Sequence, residues 1–438
     1  MVKICKQGMI ALSLERYIMK KKIKKLIEFI KNNCLIINTS VIYFCIFSML
    51  LFLTTDFFIY IKIPLVIISL YTLLYSYIIK YTNIKLVFKS SFFLWYFIFW
   101  FFTLVITIFR NNSQVLILIK NIIVFSMYIF DIILLYENNT MKSKFDLFKT
   151  IRIVSIFMCC WILLFEFKTL MSGERIGFSI MTSNPNGAGT VLATLLFGIV
   201  YTTKKDKKKI DFFIMGLLLF VITATGSKHA IIMAFVSLIY FLFKNGKIIT
   251  KRLLLFLAVF IFSLVLVFSI PFLKKNIGER FLKLLGTMNI IEYEKDYSST
   301  QRIKYSDKAL ELWQKNPVLG GGYNNVTINS GYNTYSHNNY LEILCTNGLI
   351  GIIVYYGYIC YLIFCLSKIK KKKKMCLYDR QLIYILFLLS VMISDVGAIT
   401  FSLYPFYYII IYFIDRKYSL IFDVFKIFKK KGIINNET

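Results

Sequence analysis

The sequence predicts an all-α polytopic integral membrane protein, with about twelve transmembrane helices and one large extracytoplasmic loop. Three observations lead there. Of the 438 residues, 58% are hydrophobic and 18% aromatic, more Phe, Tyr, Ile and Leu than a water-soluble core can hide. Apolar runs of the length that crosses a ~30 Å hydrocarbon layer recur along the chain, as at Leu35–Thr54 and Leu253–Ile270. The cations behind the net charge of +31 fall in clusters between these runs, as topology-setting and lipid-headgroup charges do, so nucleic acid is not an expected partner.

Spans are expected at 35–54, 58–79, 92–109, 115–136, 151–170, 186–203, 210–226, 228–243, 253–271, 339–367, 381–395 and 399–415. With a cytoplasmic N-terminus, the inner segments collect 38 of the 53 Lys and Arg residues, including Lys204–Lys209 and Lys370–Lys374. Both termini are therefore expected in the cytoplasm. The divisions are a basic N-terminus (1–34, read as an uncleaved signal anchor), a membrane unit (35–271), an extracytoplasmic loop (272–338), a second membrane unit (339–415) and a basic tail (416–438). Nine scattered cysteines form no C-x-x-C pair and read as packing residues.

Cations on short outer segments are not explained by topology, and Arg175 and Lys228 are two of them. Arg175 lies in Gly173-Glu174-Arg175-Ile176-Gly177, ahead of Ser183-Asn184-Pro185-Asn186-Gly187, where Pro185 suits the first turn of a helix. Lys228 lies in Thr225-Gly226-Ser227-Lys228-His229, between two apolar runs. Taken singly, these read equally as an interfacial cation and a turn. In the long loop, a helix over 300–315 is expected, capped by Ser299 or Thr300, with Ile303, Ala309, Leu310 and Trp313 on its apolar side and Asn316-Pro317 ending it. Asp307 and Glu311 are expected to pair with Lys304, Lys308 or Lys315. Gly320-Gly321-Gly322 is a turn, or a place where backbone N–H groups approach a phosphate. His337, one of two histidines with His229, opens the next helix as a cap or a base. All four polar groups map to one side of the membrane.

Their order is informative. Asn184-Pro185-Asn186, Gly226-Ser227-Lys228, Arg302 through Trp313 to Pro317-Val318-Leu319-Gly320-Gly321-Gly322, and His337-Asn338 through Glu342 to Gly348-Leu349-Ile350-Gly351 resemble the O-antigen ligase and O-antigen polymerase family over residues 171–365. One departure is Lys228, where the family commonly has arginine; lysine keeps the charge and lacks the bidentate fork.

The resemblance implies a glycosyltransferase in the bacterial cell (inner) membrane whose donor is a polyprenyl-diphosphate-linked oligosaccharide. A polymerase would build capsule, O-antigen or exopolysaccharide from such units; a ligase would move the finished glycan to another acceptor. It further implies His337, Arg302 and Arg175 as catalytic, and Lys228, Asn186, Gly320, Gly322 and Asn338 as substrate-binding, with neither metal nor cofactor. Membrane lipid, a flippase and a chain-length regulator are the implied partners. A His near pKa ~6.5 would suit the base. A flippase or transporter is the rival from another class; it would place ionisable residues near the bilayer midplane, whereas Lys62, Lys120, Asp131 and Glu166 read as lying toward helix ends. A membrane sensor with an external binding loop is a third.

Overall fold

The computed structural model describes residues 21–29, 37–43, 45, 58–78, 90–137, 147–172, 174–176, 185–206, 209–244, 247–248, 297–368, 375–393 and 405–418, with short stretches between 250 and 291. The spans expected at 35–54 and 253–271 fall largely outside them, as do Gly173, Gly177, Ser183 and Asn184.

The described helices are α1 (Phe58–Ile78), α2 (Ser91–Arg110), α3 (Val115–Glu137), α4 (Leu147–Phe165), α5 (Phe167–Met171), α6 (Pro185–Asp206), α7 (Lys209–Thr225), α8 (Lys228–Leu242), α9 (Tyr297–Gln314), α10 (Asn325–Asn329), α11 (Asn339–Lys368), α12 (Met375–Ile393) and α13 (Pro405–Tyr418). A two-residue ribbon, Phe243–Lys244 with Lys247–Ile248, is the one departure from helix by strand pairing among the described residues. Among the described residues, four helical segments are long and apolar enough to cross a membrane: Ser91–Arg110, Asn112–Glu137, Pro185–Thr203 and Asn339–Ser367. Pro64–Ser76, Lys228–Leu242 and Leu382–Ile393 are apolar but shorter.

Packing explains why so many aromatics are needed. Trp95 of α2 stacks on Tyr358 of α11 with centroids 4.6 Å apart, and its indole N–H donates to the Val354 carbonyl at 3.0 Å. Phe92, Phe93, Tyr96, Tyr408 and Tyr412 are fully buried in the same cluster of helices α2, α3, α11 and α13. Outward, Phe101, Phe109, Leu116, Leu164 and Ile353 are each more than two-thirds exposed, an arrangement that hydrocarbon tolerates and water does not.

The buried charges are partnered. Arg152 of α4 donates Nε and Nη2 to the two carboxylate oxygens of Asp211 on α7, at 2.6 and 3.0 Å. Asp415 of α13 accepts from Ser91 Oγ and the Phe92 amide, closing the first turn of α2. Asp131 is not a helix-end residue: it is buried within α3 and accepts from Ser69 of α1 at 2.7 Å.

The loop helix α9 starts at Tyr297, ahead of the expected cap, and ends at Gln314 as Asn316-Pro317 predicts. Ala309 and Leu312 form a small separate core with Val326 and Cys345, against Trp313 and Leu341. Ile303 and Leu310, expected on the apolar side, are 57% and 40% exposed, because the helix rests on α11 through its other face. Lys308 pairs with Glu311 on the exposed face at 2.5 Å, as the spacing predicts.

Candidate functional site

Three corners of the bundle converge at one end, where α6, α8 and α11 begin and α2 and α7 finish. The first corner is built on a close approach. A Cβ on Gly189 of α6 would lie 2.8 Å from that of Ser227 and 2.9 Å from that of Ala230, so only glycine lets α6 meet the α7–α8 turn this tightly. Gly226 makes that turn with φ of +60°, its N–H donating to the Thr223 carbonyl. The segment before α6 then lies against the turn: the Ile176 amide donates to Ala224, Arg175 Nε donates to the Thr225 carbonyl at 2.9 Å, and Arg175 Nη2 donates to Asn186 Oδ1 at 2.6 Å. His229 completes the joint. It is buried, hydrogen-bonded through Nδ1 to Ser227 Oγ at 3.1 Å and through Nε2 to Thr190 of α6.

The second corner docks the loop. The Trp313 indole donates to the Pro317 carbonyl at 3.0 Å, folding the chain back after α9. Val318 and Leu319 then thread into a break in α11 at Gly348, whose φ and ψ are 65° and −162°; a Cβ there would meet the Val318 carbonyl oxygen at 2.2 Å. Tyr323 is the plug: its N–H donates to Thr107 Oγ1, its carbonyl accepts from Asn111, and its hydroxyl accepts from Asn121 at 3.0 Å. The α2–α3 hairpin, generic by sequence, is therefore the seat of the loop.

The third corner holds His337. Glu342, in the first turn of α11, is buried and accepts from both the amide and the hydroxyl of Ser336 through Oε2, at 2.9 and 2.8 Å. Asn338 Oδ1 caps α11 by accepting from the amides of Tyr340 and Leu341. His337, held between these anchors, adopts a left-handed φ of 56°. Its ring lies between Tyr305 (centroids 5.6 Å apart) and Tyr335 (4.1 Å). Burial first, and the charge of Arg302 second, pull its pKa from 6.5 down to about 4.

Arg302 of α9 joins the corners. Its charge acts on His337, on Tyr335 and on His229, and Arg175 acts on His229 as well. Its guanidinium is half-buried and has no hydrogen bond or ion pair among the described residues. A cation in that state is open to an anion of the size of a phosphate.

Four expected binding residues have partners within the protein. The amides of Gly320, Gly321 and Gly322 donate to the carbonyls of Asn316, Cys345 and Thr346, so the phosphate cradle expected at Gly320 and Gly322 has its N–H groups committed to backbone. These glycines allow close approach: a Cβ on Gly320 would meet the Thr346 carbonyl carbon at 2.5 Å. Asn338 is spent on capping, and Asn186 holds Arg175. Lys228 is half-buried at the first position of α8, beside His229. His337 also departs from the ordinary pKa expected of it. The sequence carries no local signal for the roles of Glu342, of His229 as a joint, or of Tyr305. A carboxylate in a first helical turn looks like ordinary capping, and Tyr305 is one of 30 tyrosines.

A helical membrane bundle with cations and a histidine gathered beneath one docked loop fits a membrane enzyme. Residues 212–356 match the family model described as O-antigen ligase. The match supports the resemblance carried by the motifs and the reading of a membrane enzyme concerned with glycans. It includes Lys228, His229, Arg302 and His337, and leaves out Arg175 and Asn186. No curated protein matches the chain.

Proposed function

We propose that the protein is a polysaccharide polymerase that joins polyprenyl-diphosphate-linked oligosaccharide units at the extracytoplasmic face. The observation that carries this reading is the Arg302 guanidinium, which has no hydrogen bond or ion pair among the described residues, beside a neutral His337. In the reaction, an acceptor hydroxyl attacks the anomeric carbon of the donor sugar. The new glycosidic C–O bond forms as the bond from anomeric carbon to diphosphate oxygen breaks. The hydroxyl proton passes to a ring nitrogen of His337, and the electron pair leaves with the lipid diphosphate. Arg302 faces that developing charge, where fixed cations act most strongly because water is partly excluded. Arg175 and Lys228 supply a positive rim rather than direct contacts. A pKa near 4 leaves His337 unprotonated and able to accept at neutral pH, at the expense of basicity.

Transfer of finished chains to a different acceptor uses the same groups and is the second reading, favoured by the family description. A flippase is less well supported, since Arg152 and Asp211 pair with each other and Asp131 and Asp415 are held by neighbouring helices. The size of lipid-linked glycan in a strain lacking the gene separates these. Single repeat units on the carrier at the outer leaflet mean polymerase; long chains stranded on the carrier mean ligase; units confined to the inner leaflet mean flippase.

A further inference from the structure

We propose that Tyr332, Tyr305 and Tyr335 form the subsite that seats a pyranose ring of the acceptor glycan against His337. The inference rests on the glycosyl-transfer reading and adds a binding surface to it. Tyr332 and Tyr305 have centroids 5.0 Å apart and meet at 59°, Tyr305 lies at 25° to the His337 ring, and the Tyr335 centroid lies 4.1 Å from that of His337. The four rings make a continuous aromatic shelf, Tyr332–Tyr305–His337–Tyr335, that includes the candidate base.

Ordinary packing does not account for the shelf. The loop has its own small core of Ala309, Leu312, Val326 and Cys345, and none of the three tyrosines belongs to it. Tyr332 is 45% exposed. None of the three phenol hydroxyls makes a hydrogen bond among the described residues. The segment that carries the shelf has positive φ at Gly331, Asn333 and His337, 80°, 51° and 56°. Each end of the segment is pinned, by the Tyr332 amide donating to Ser330 Oγ and by the Ser336–Glu342 clamp.

The chemistry fits a sugar. One face of a pyranose presents C–H groups that are apolar and slightly positive, complementary to the negative face of an aromatic ring. Its rim presents hydroxyls, which the free phenol groups can bond. A ring lying on Tyr332 and Tyr305 would carry its outward hydroxyl toward His337, and Arg302 would stand on the donor side.

The probe is the oligosaccharide released by mild acid from the lipid carrier of a strain lacking the gene. It is titrated against the full-length protein in lipid nanodiscs, with saturation-transfer NMR reporting which sugar protons touch aromatic rings. Wild type should bind with transfer concentrated on the C–H protons of one sugar. Tyr332→Phe should bind within about twofold and Tyr332→Ala roughly tenfold more weakly, with Tyr332→Trp close to wild type. Because Tyr332 is exposed, none of these changes should alter folding, and thermal unfolding of each variant checks that. Unchanged binding by Tyr332→Ala overturns the subsite, as does a wild type that fails to bind the oligosaccharide. A deletion strain that accumulates no lipid-linked glycan overturns the glycosyl-transfer reading itself, and the subsite with it.

Discussion

Arg175 and Arg302 look alike in the sequence, two cations expected on the same side of the membrane, yet the structure places them in opposite states. Arg175 donates to Thr225 and Asn186 and serves as a rivet between the segment before α6 and the α7–α8 turn. Arg302 sits half-buried on α9 with no such bonds, and its charge reaches both histidines. A guanidinium held by a carbonyl and an amide oxygen contributes shape and long-range potential. One left unbonded has its fork available for a ligand. On the proposed reading, the pair separates scaffold from chemistry within one cationic cluster.

The comparison breaks most readily at the Arg302 corner. Arg302→Ala should lower turnover about 100- to 1,000-fold with protein levels in the membrane unchanged, and Arg302→Lys should recover only part of it, because the fork is lost. His337→Ala should cost about 100-fold or more in turnover of lipid-linked glycan. Its acid limb sharpens the point. With the pKa lowered to about 4, activity should hold as pH falls through 6.5 and decline only near 4. The sign for stability is the same: the unfolded chain takes up a proton on this histidine at 6.5 and the folded one does not until about 4, so stability declines between those values. Histidine NMR on a His229→Gln background, where one imidazole remains, reads the titration directly.

Next in size is the clamp. Glu342→Ala leaves the Ser336 amide unpaired in a buried place, which costs about 1–3 kcal/mol and should release His337 from its left-handed turn. The expected signature is a roughly tenfold fall in kcat with a His337 pKa drifting up toward its ordinary value; a merely structural role would leave that pKa unmoved. The scaffold side should respond in stability rather than chemistry. Gly189→Ala forces a contact of 2.8 Å with Ser227 and should destabilise by about 1–3 kcal/mol in thermal unfolding. Asn186→Ala removes one of the bonds that hold Arg175, and turnover should fall about threefold at most.

The helices were legible because the bilayer imposes length and composition. The expected spans at 92–109, 115–136, 186–203 and 339–367 coincide within a few residues with helices able to cross. So was the end of α9 before Asn316-Pro317; the break in α11 at Gly348 was not, because 339–367 reads as one uninterrupted apolar helix. Geometry between distant segments was not legible. Nothing local in Asn121, Asn111 or Thr107 announces that they seat Tyr323, about two hundred residues onward. Gly320 and Gly322 carry the composition of a phosphate loop, but whether an N–H is free depends on which carbonyls fold against it, here Asn316 and Thr346. The pKa of His337 is likewise a property of its surroundings, Tyr305, Tyr335 and Arg302, and the expectation of an ordinary value failed for that reason.

The most direct measurement is the length of lipid-linked glycan in a strain lacking the gene, complemented in turn by wild type, Arg302→Ala and Asn186→Ala. The account predicts single repeat units on the carrier with Arg302→Ala, as with no complementation, and near-normal polymer with Asn186→Ala. Full-length polymer with Arg302→Ala would contradict it.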